Sequence, residues 1–123
     1  MLTSERKLQK LFIKFIEWGK ITKAENLITL HPELEIPWQK AFESAAMNKM
    51  QCGVEWIYTR ANQQNIEINI HFDNDKLLNY MILQGCRYII KWLILQDSAY
   101  PWKPHITNET MARASKDILE MIP

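Results

Sequence analysis

The 123-residue chain contains few of the residues from which specialised binding loops and metal sites are built: three glycines and two cysteines. The glycines are isolated from one another, so the chain lacks the glycine-rich loop that binds nucleotide phosphates. Cys52 and Cys86 form no closely spaced pair, which argues against the common structural zinc motifs. Such sparse cysteine usage predicts a reduced, cytoplasmic setting.

Long hydrophobic segments and an excess of one charge are also missing. The most apolar run, Ile89–Leu95, contains Lys91 and is far shorter than the roughly 20 residues that cross a bilayer. Lysines at positions 10 and 14 interrupt the N-terminal segment, so no signal peptide is predicted. Fifteen basic and fourteen acidic residues give a formal charge of +1, which provides no general attraction to nucleic acid or acidic lipid. We therefore expect neither nucleic acid nor a membrane as a partner.

What the chain does have is helical periodicity. Its 47% hydrophobic and 24% charged residues are typical of a globular domain, and its length predicts one domain. In residues 4–18, Leu8, Leu11, Phe12 and Phe15 form one apolar stripe, and Gly19 ends the helix. Further helices are predicted over residues 22–30, 38–47, 51–61, 75–83, 86–96 and 109–121, with Asn108 capping the last.

Three other local features give specific expectations. Residues 66–72 alternate between apolar and polar, which predicts a strand in a hairpin-like projection. The turn at Asn48 and Lys49 lacks glycine, so one of them must adopt a left-handed backbone, and asparagine tolerates this better. Gly53, in the first turn of its helix, is expected to let a neighbouring helix approach closely.

The chain also repeats itself weakly. Residues 18–28, 48–58 and 84–94 align without gaps, with Gly19, Lys49 and Gly85 at equivalent positions, 30 and 36 residues apart. A period in this range is typical of a solenoid of stacked supersecondary units. The predicted fold is therefore an all-α, short solenoid of about three helix-turn-helix repeats in a single domain. Its units are residues 4–36, 37–72 and 73–105, followed by a C-terminal capping helix in residues 106–123.

The repeat resembles the ankyrin repeat. Residues 84–94, Gln-Gly-Cys-Arg-Tyr-Ile-Ile-Lys-Trp-Leu-Ile, look like the family's Asn-Gly-His-Leu-Glu-Val-Val-Lys-Trp-Leu-Leu stretch. Ala45–Asn48 is similar to the Ala-Ala-Glu-Asn that precedes it, in the degenerate style of the arrays of giant viruses and intracellular bacteria. The family's Thr-Pro-Leu-His is replaced by Lys-Leu-Leu-Asn at residues 76–79. Helical stacks of the TPR or HEAT kind are the alternative, and the finger-like residues 66–74 favour the ankyrin type.

The resemblance implies a non-catalytic module that binds another protein through its concave face and finger tips, with no cofactor. It would be a monomer or weak dimer in the cytoplasm of its own cell or of a host cell. The residues matching the family's binding positions are Glu17, Trp18, Pro37, Trp38, Gln39, Met47, Asn48, Phe72, Asp73, Asp75, Leu83 and Gln84. Exposed aromatics at the tips, Trp38 and Phe72, would dominate binding, and replacing both would then leave melting unchanged. The alternative is that each ring packs against the next finger.

Other aromatic and polar residues are interpreted structurally. Trp56 and Trp92 occupy one position in two second helices and are expected to pack in the core or between repeats, whereas Trp102 is expected to cover a helix end. The histidines are interpreted as surface imidazoles and the cysteines as buried small side chains, because no pair has zinc-ligand spacing. The aspartate-rich residues 73–75 lack the glycine and distal glutamate of a calcium loop.

Two alternative functions remain open from the sequence. One is a small enzyme or effector that uses Cys52 or Cys86, since a catalytic histidine need only be near in space. The other is a module that binds an anionic ligand through the first hairpin, whose basic residues are Lys7, Lys10, Lys14, Lys20 and Lys23.

Overall fold

The computed structural model describes the backbone of residues 2–123 and the side chains from Ser4 onwards. These residues form eight α-helices and no β-strand. The helices are α1 (Leu2–Glu17), α2 (Ile21–Leu30), α3 (Trp38–Met47), α4 (Gln51–Gln63), α5 (Phe72–Gln84), α6 (Arg87–Gln96), α7 (Asn108–Arg113) and α8 (Lys116–Glu120), with a 3₁₀ helix at Lys103–His105. Within this part of the chain, no helix combines the length and hydrophobicity needed to cross a membrane. The chain divides into two compact units, Met1–Ile68 and Asn69–Pro123.

The N-terminal unit packs the α1–α2 hairpin against the α3–α4 hairpin. Phe12 and Ile16, one helical turn apart on α1, are fully buried. The Phe12 ring packs edge-on against Trp38 of α3, with 6.0 Å between ring centroids, and lies 6.2 Å from Trp56 of α4. Small buried side chains on α3, including Ala45, leave room for this close packing. Of the apolar stripe predicted for α1, Phe12 is therefore part of the core of this unit, whereas Leu11 is 38% exposed and Leu8 and Phe15 are half-buried.

Gly53 allows α4 to lie directly against the backbone of α1. A Cβ atom at this position would be 2.7 Å from the carbonyl oxygen of Ile16 and 3.3 Å from the Cβ atom of Ala45. The expected close helix approach at Gly53 is confirmed.

Three hairpin turns have the same backbone geometry. Gly19, Lys49 and Gly85 all adopt left-handed conformations, with φ of 69°, 57° and 67°. The expectation that asparagine would be the left-handed residue of the second turn is wrong: Asn48 has a φ of −92°, and Lys49 carries the positive φ. Position in the turn decides the conformation here, because Asn48 caps α3 and the left-handed residue of this motif is the one that follows the cap.

The hydrogen bonds of the three turns are also equivalent. In each, the amide after the left-handed residue donates to the carbonyl five residues earlier: Lys20 to Phe15 at 2.8 Å, Met50 to Ala45 at 2.9 Å, and Cys86 to Met81 at 3.0 Å. This is the six-to-one bond of the Schellman motif, which satisfies carbonyls at the end of a helix. The sequence similarity at these positions therefore corresponds to one shared local structure.

The segment predicted as a strand is irregular. Residues 66–69 form no regular structure, although Ile68 and Ile70 are buried while Glu67 and Asn69 are exposed. The alternation in sequence therefore corresponds to alternate burial along an irregular segment. Alternation alone does not provide the partner strand that a sheet needs, so the predicted hairpin-like projection is wrong.

The C-terminal unit contains α5–α8, and its last helical segment is broken. The single helix predicted over residues 109–121 is replaced by α7 and α8, because Ala114 and Ser115 are extended, with ψ near 150°. The hydroxyl of Thr107 accepts a bond from the Thr110 amide at 3.1 Å and caps α7. Ser115 caps α8 in the same way, through the Ile118 amide. The predicted cap, Asn108, is instead the first residue of α7.

Candidate functional site

Six of the residues predicted to bind a partner lie at the carboxyl ends of α1, α3 and α5. They are the two residues before each left-handed position: Glu17 and Trp18, Met47 and Asn48, Leu83 and Gln84. Trp18 is 56% exposed and Leu83 is 37% exposed. The other four side chains are exposed or half-buried. Each hairpin thus presents accessible side chains at the same place in its own structure.

The residues predicted at the finger tips are mostly less accessible. Trp38 is 7% exposed and Phe72 is 6% exposed, so the structure buries both aromatic rings. Trp38 packs between Phe12 and Trp56, 6.3 Å from the latter. Pro37 and Gln39 are half-buried, Asp73 is exposed and Asp75 is buried. The expectation that removing both rings would leave melting unchanged does not fit core residues.

The most concentrated polar chemistry surrounds Asp75, which is 1% exposed. Its Oδ1 atom lies 2.6 Å from Nδ1 of His71. Its Oδ2 atom accepts a hydrogen bond from the Tyr100 hydroxyl at 2.5 Å and lies 3.1 Å from Nδ1 of His105. Burial of a carboxylate is costly unless it is paired and hydrogen-bonded, and these three partners meet that requirement. Asp75, His71, Tyr100, His105 and Asp97 are called the Asp75 cluster below.

An unusual backbone at the start of α5 directs Asp75 inward. Asp73, Asn74 and Asp75 have φ values of 49°, 56° and 60°, all in the left-handed region. Aspartate and asparagine tolerate this region better than most residues do. The Asn69 side chain accepts a bond from the His71 amide at 2.9 Å, which fixes the turn just before these residues.

The segment after α6 supplies the other side of the Asp75 cluster. The Tyr100 ring stacks on His71, with 3.7 Å between centroids, and Trp102 lies 4.8 Å from the same imidazole. Trp102 is fully buried and its indole nitrogen donates to the carbonyl oxygen of Asp97 at 2.9 Å. Because Asp97 follows the last residue of α6, Trp102 covers the end of that helix, as the sequence predicted.

His71 bridges two carboxylates. Its Nε2 atom lies 2.9 Å from Oδ2 of Asp97, while Nδ1 faces Asp75. Carboxylates accept hydrogen bonds, so both contacts can be hydrogen bonds only when both ring nitrogens carry hydrogen. His71 therefore links the buried Asp75 carboxylate to Asp97 at the end of α6.

The same surroundings perturb Tyr100. Burial, the hydrogen bond to Asp75 and the negative charges of Asp75 and Asp97 raise the pKa of the Tyr100 phenol from 10.0 to about 12. Each effect disfavours the phenolate, because it would be poorly solvated and would lie beside carboxylates. Tyr100 therefore acts as a hydrogen-bond donor across the physiological range.

A buried amide extends this network to α7. The Asn79 side chain donates to the carbonyls of Asp75 and His105, at 2.9 and 3.1 Å, and accepts from the Thr107 amide at 2.9 Å. Asn79 and the Asp75 cluster together hold residues 97–107 against α5 within the C-terminal unit. Within the described residues, every buried side-chain nitrogen and oxygen has a hydrogen-bond partner. Because these buried polar groups are all paired, the network is best explained as one that holds residues 97–107 in place.

The carboxylates, imidazoles and phenol of the Asp75 cluster are groups that can act as acids and bases. Their arrangement does not form a metal site. Among the residues from 2 to 123 that the structure describes, no group of three histidine, cysteine or acidic side chains is placed to hold a metal ion. The cysteines lie outside the Asp75 cluster as well. Cys52 is exposed, so its interpretation as a buried small side chain is wrong, and Cys86 is half-buried. Trp56 and Trp92, predicted to pack in the core or between repeats, are half-buried, and Trp56 contacts Phe12 of the first hairpin.

Sequence reasoning missed the Asp75 cluster. It interpreted His71 as a surface imidazole, whereas the His71 side chain is 22% exposed and is bonded at both nitrogens. One signal was present: His71 and Asp75 are only four residues apart, so a single local turn can bring their side chains together. Nothing in the sequence indicated that Tyr100 and His105 would join them.

Comparison of the chain with protein-family models, with curated proteins and with solved structures found no match.

Proposed function

We propose that this protein is a non-catalytic module that binds another protein, and that its three hairpins are degenerate ankyrin-like repeats. The observation that carries the proposal is Trp18. This large aromatic side chain is 56% exposed at the end of α1, where the equivalent residues of the other hairpins are also accessible. Tryptophan is over-represented among the residues that dominate interface energies, where its loss often costs about 2 kcal/mol or more.

The surroundings of Trp18 suit a docking surface. The Lys20 ammonium lies 5.3 Å from the centre of the indole ring, an arrangement typical of a cation–π contact. Glu17, beside it in sequence, accepts a hydrogen bond from Ser44 of α3. This bond joins the last turn of α1 to α3, so Trp18 lies near the end of α3, where Met47 and Asn48 are accessible. Two packed helices hold this surface in place, so little ordering entropy opposes binding.

The experiment compares Trp18→Ala with Tyr88→Ala. Tyr88 is 75% exposed on α6 and serves as a matched exposed aromatic. Each tagged variant is used to capture partners from native cytosol, with quantitative mass spectrometry of the bound proteins. We expect a partner that the wild type and Tyr88→Ala capture equally and that Trp18→Ala loses. Circular dichroism and thermal melting should be the same for all three proteins.

Equal capture by the two variants would contradict the assignment of the site to Trp18. Failure of the wild type to capture any protein above a tag-only control would contradict the proposed function as a whole.

A further inference from the structure

A second surface of the N-terminal unit lies between α1 and α2. It is a groove lined by Leu11, Phe15, Lys23, Asn26, Leu27 and Leu30. Leu11 is 38% exposed and Leu30 is 73% exposed, although both are large apolar side chains. All lining residues belong to the first hairpin, whereas Phe12 and Ile16 of the same hairpin face α3 and α4. The groove is therefore an apolar face that the unit itself does not cover.

Lysines surround this groove. Lys23 lines it, with its ammonium 6.0 Å from the centre of the Phe15 ring. Lys7 and Lys14 are four residues before and three residues after Leu11, so they border it on the same face of α1. Both are exposed, and neither forms an ion pair with a described residue.

The acidic residues of the same hairpin lie on other faces. Glu17 is hydrogen-bonded to Ser44 of α3. Glu25 accepts a bond from the Trp56 indole at 2.9 Å and lies 4.0 Å from Arg60. Glu5 borders a different cleft, together with Glu33. The charges of the hairpin are therefore segregated, with lysines beside the groove and acidic side chains elsewhere.

We propose that this groove binds an amphipathic helix of a partner protein, with apolar residues toward Leu11 and Leu30 and acidic residues toward the lysines. The groove is formed by two helices, and apolar side chains spaced three and four residues apart fit such a surface. Charge decides between this occupant and a second copy of the chain. A symmetric dimer through the groove would place Lys7, Lys14 and Lys23 of both copies together, and like charges oppose it. The proposal rests on the groove and its lysines, and it does not require the partner that Trp18 is proposed to bind.

The test uses two synthetic helical peptides of about 18 residues, long enough to form a helix. Both carry leucines at positions i, i+3, i+4 and i+7, flanked by glutamates in one peptide and by lysines in the other. Binding to the full chain is measured by fluorescence anisotropy at low and high salt. The groove variants are Leu11→Ser with Leu30→Ser, and Lys14→Glu with Lys23→Glu. The controls on α6 are Leu95→Ser, whose side chain is 75% exposed, and Lys91→Glu, also exposed.

We expect the glutamate peptide to bind at least about tenfold more tightly than the lysine peptide. Its affinity should fall as the salt concentration rises. Either groove variant should weaken it by about tenfold or more, while the α6 controls leave it unchanged. Circular dichroism checks that the variants are folded. If Leu11→Ser with Leu30→Ser does not fold, Lys14→Glu with Lys23→Glu still tests the proposal.

Three results would overturn the proposal. One is a dissociation constant weaker than about 1 mM for the glutamate peptide. Another is equal affinity for both peptides. The third is self-association in analytical ultracentrifugation that the leucine variant abolishes, which would identify a second copy as the occupant.

Discussion

His71 and Asp75 face each other across one turn of the chain, with 2.6 Å between Nδ1 and Oδ1. This contact joins the residue just before α5 to a carboxylate that is almost completely buried. The other oxygen of Asp75 binds Tyr100, which lies 25 residues later in the sequence. One side chain therefore connects the beginning of α5 to the segment that follows α6.

Replacing Asp75 by asparagine should destabilise the protein, because the neutral amide cannot accept from all of the same donors. Hydrogen bonds to charged groups contribute about 1.5–3 kcal/mol, so we expect a loss of that order in urea unfolding. Asp73→Asn is the matched control, since Asp73 is exposed and has a similar left-handed backbone. Its effect should be within about 0.5 kcal/mol. Equal losses for the two variants would show that Asp75 does not hold the cluster.

Tyr100 should ionise at a pH well above the ordinary pKa of tyrosine. Ultraviolet titration of the phenolate should show one group with a pKa of about 12, shifting toward 10.0 in Asp75→Asn. Because Tyr100 ionises near pH 10 when unfolded and near pH 12 when folded, its contribution to stability is intact below pH 10 and is lost as pH rises to 12. Tyr88→Phe should leave this step in place. A wild-type titration with no group above the ordinary range would refute the assignment.

Gly53→Ala tests the close approach of α4 to α1. Helix propensity alone would favour alanine by about 1 kcal/mol. The added methyl group would lie 2.7 Å from a backbone oxygen that cannot move alone, so we expect a net loss of about 1–3 kcal/mol. Asn62→Ala, at an exposed position of the same helix, should be neutral or slightly stabilising. Increased stability in thermal melting of Gly53→Ala would mean that α4 can shift away.

Substitutions at two left-handed turn positions, Lys49 and Gly85, should have opposite effects on the free energy of unfolding. Lys49→Gly removes the backbone strain of a φ of 57°, which costs about 1–2 kcal/mol. Glycine also increases the conformational entropy of the unfolded chain, which offsets part of that gain in stability. A net gain of up to about 1 kcal/mol is expected. Gly85→Ala should lose about 1–2 kcal/mol through backbone strain alone, because a Cβ atom there meets open space. Chemical denaturation measures both, and effects of the same sign would contradict the equivalence of the turns.

Two tryptophans should behave differently. Trp38→Ala opens a cavity beside Phe12 and Trp56, and such losses cost about 3–5 kcal/mol. Trp18→Ala removes a mostly exposed ring and should change the free energy of unfolding by about 0.5 kcal/mol or less. Comparable destabilisation by both would place Trp18 in the core and remove the basis of the proposed binding surface.

The helices were largely predictable because the signals for them are local. Apolar spacing located α3 at its observed bounds, and it located α1, α2, α4 and α6 within two residues at each end. Gly19 and Gly85 marked two turns directly. The third turn was harder, since Lys49 has no intrinsic preference for the left-handed region and adopts it because the hairpin requires it.

The Asp75 cluster was not predictable because its members come from separate segments. His71 and Tyr100 stack only once the chain after α6 has folded back on α5. The left-handed run beginning at Asp73 also turns the Asp75 side chain inward, where its composition suggested an exposed loop. The break between α7 and α8 depends on Ser115, which caps α8. A serine is compatible with either a cap or a helix surface, so its presence alone does not predict a break.

The shared turn geometry at Gly19, Lys49 and Gly85 has a consequence for how the chain folds. Each hairpin is closed by bonds between residues no more than five apart, so little loop-closure entropy is lost before the two helices meet. Contacts of this kind give a low contact order, which is associated with rapid folding. We therefore expect each of the three hairpins to close early in folding, before contacts between residues distant in sequence form.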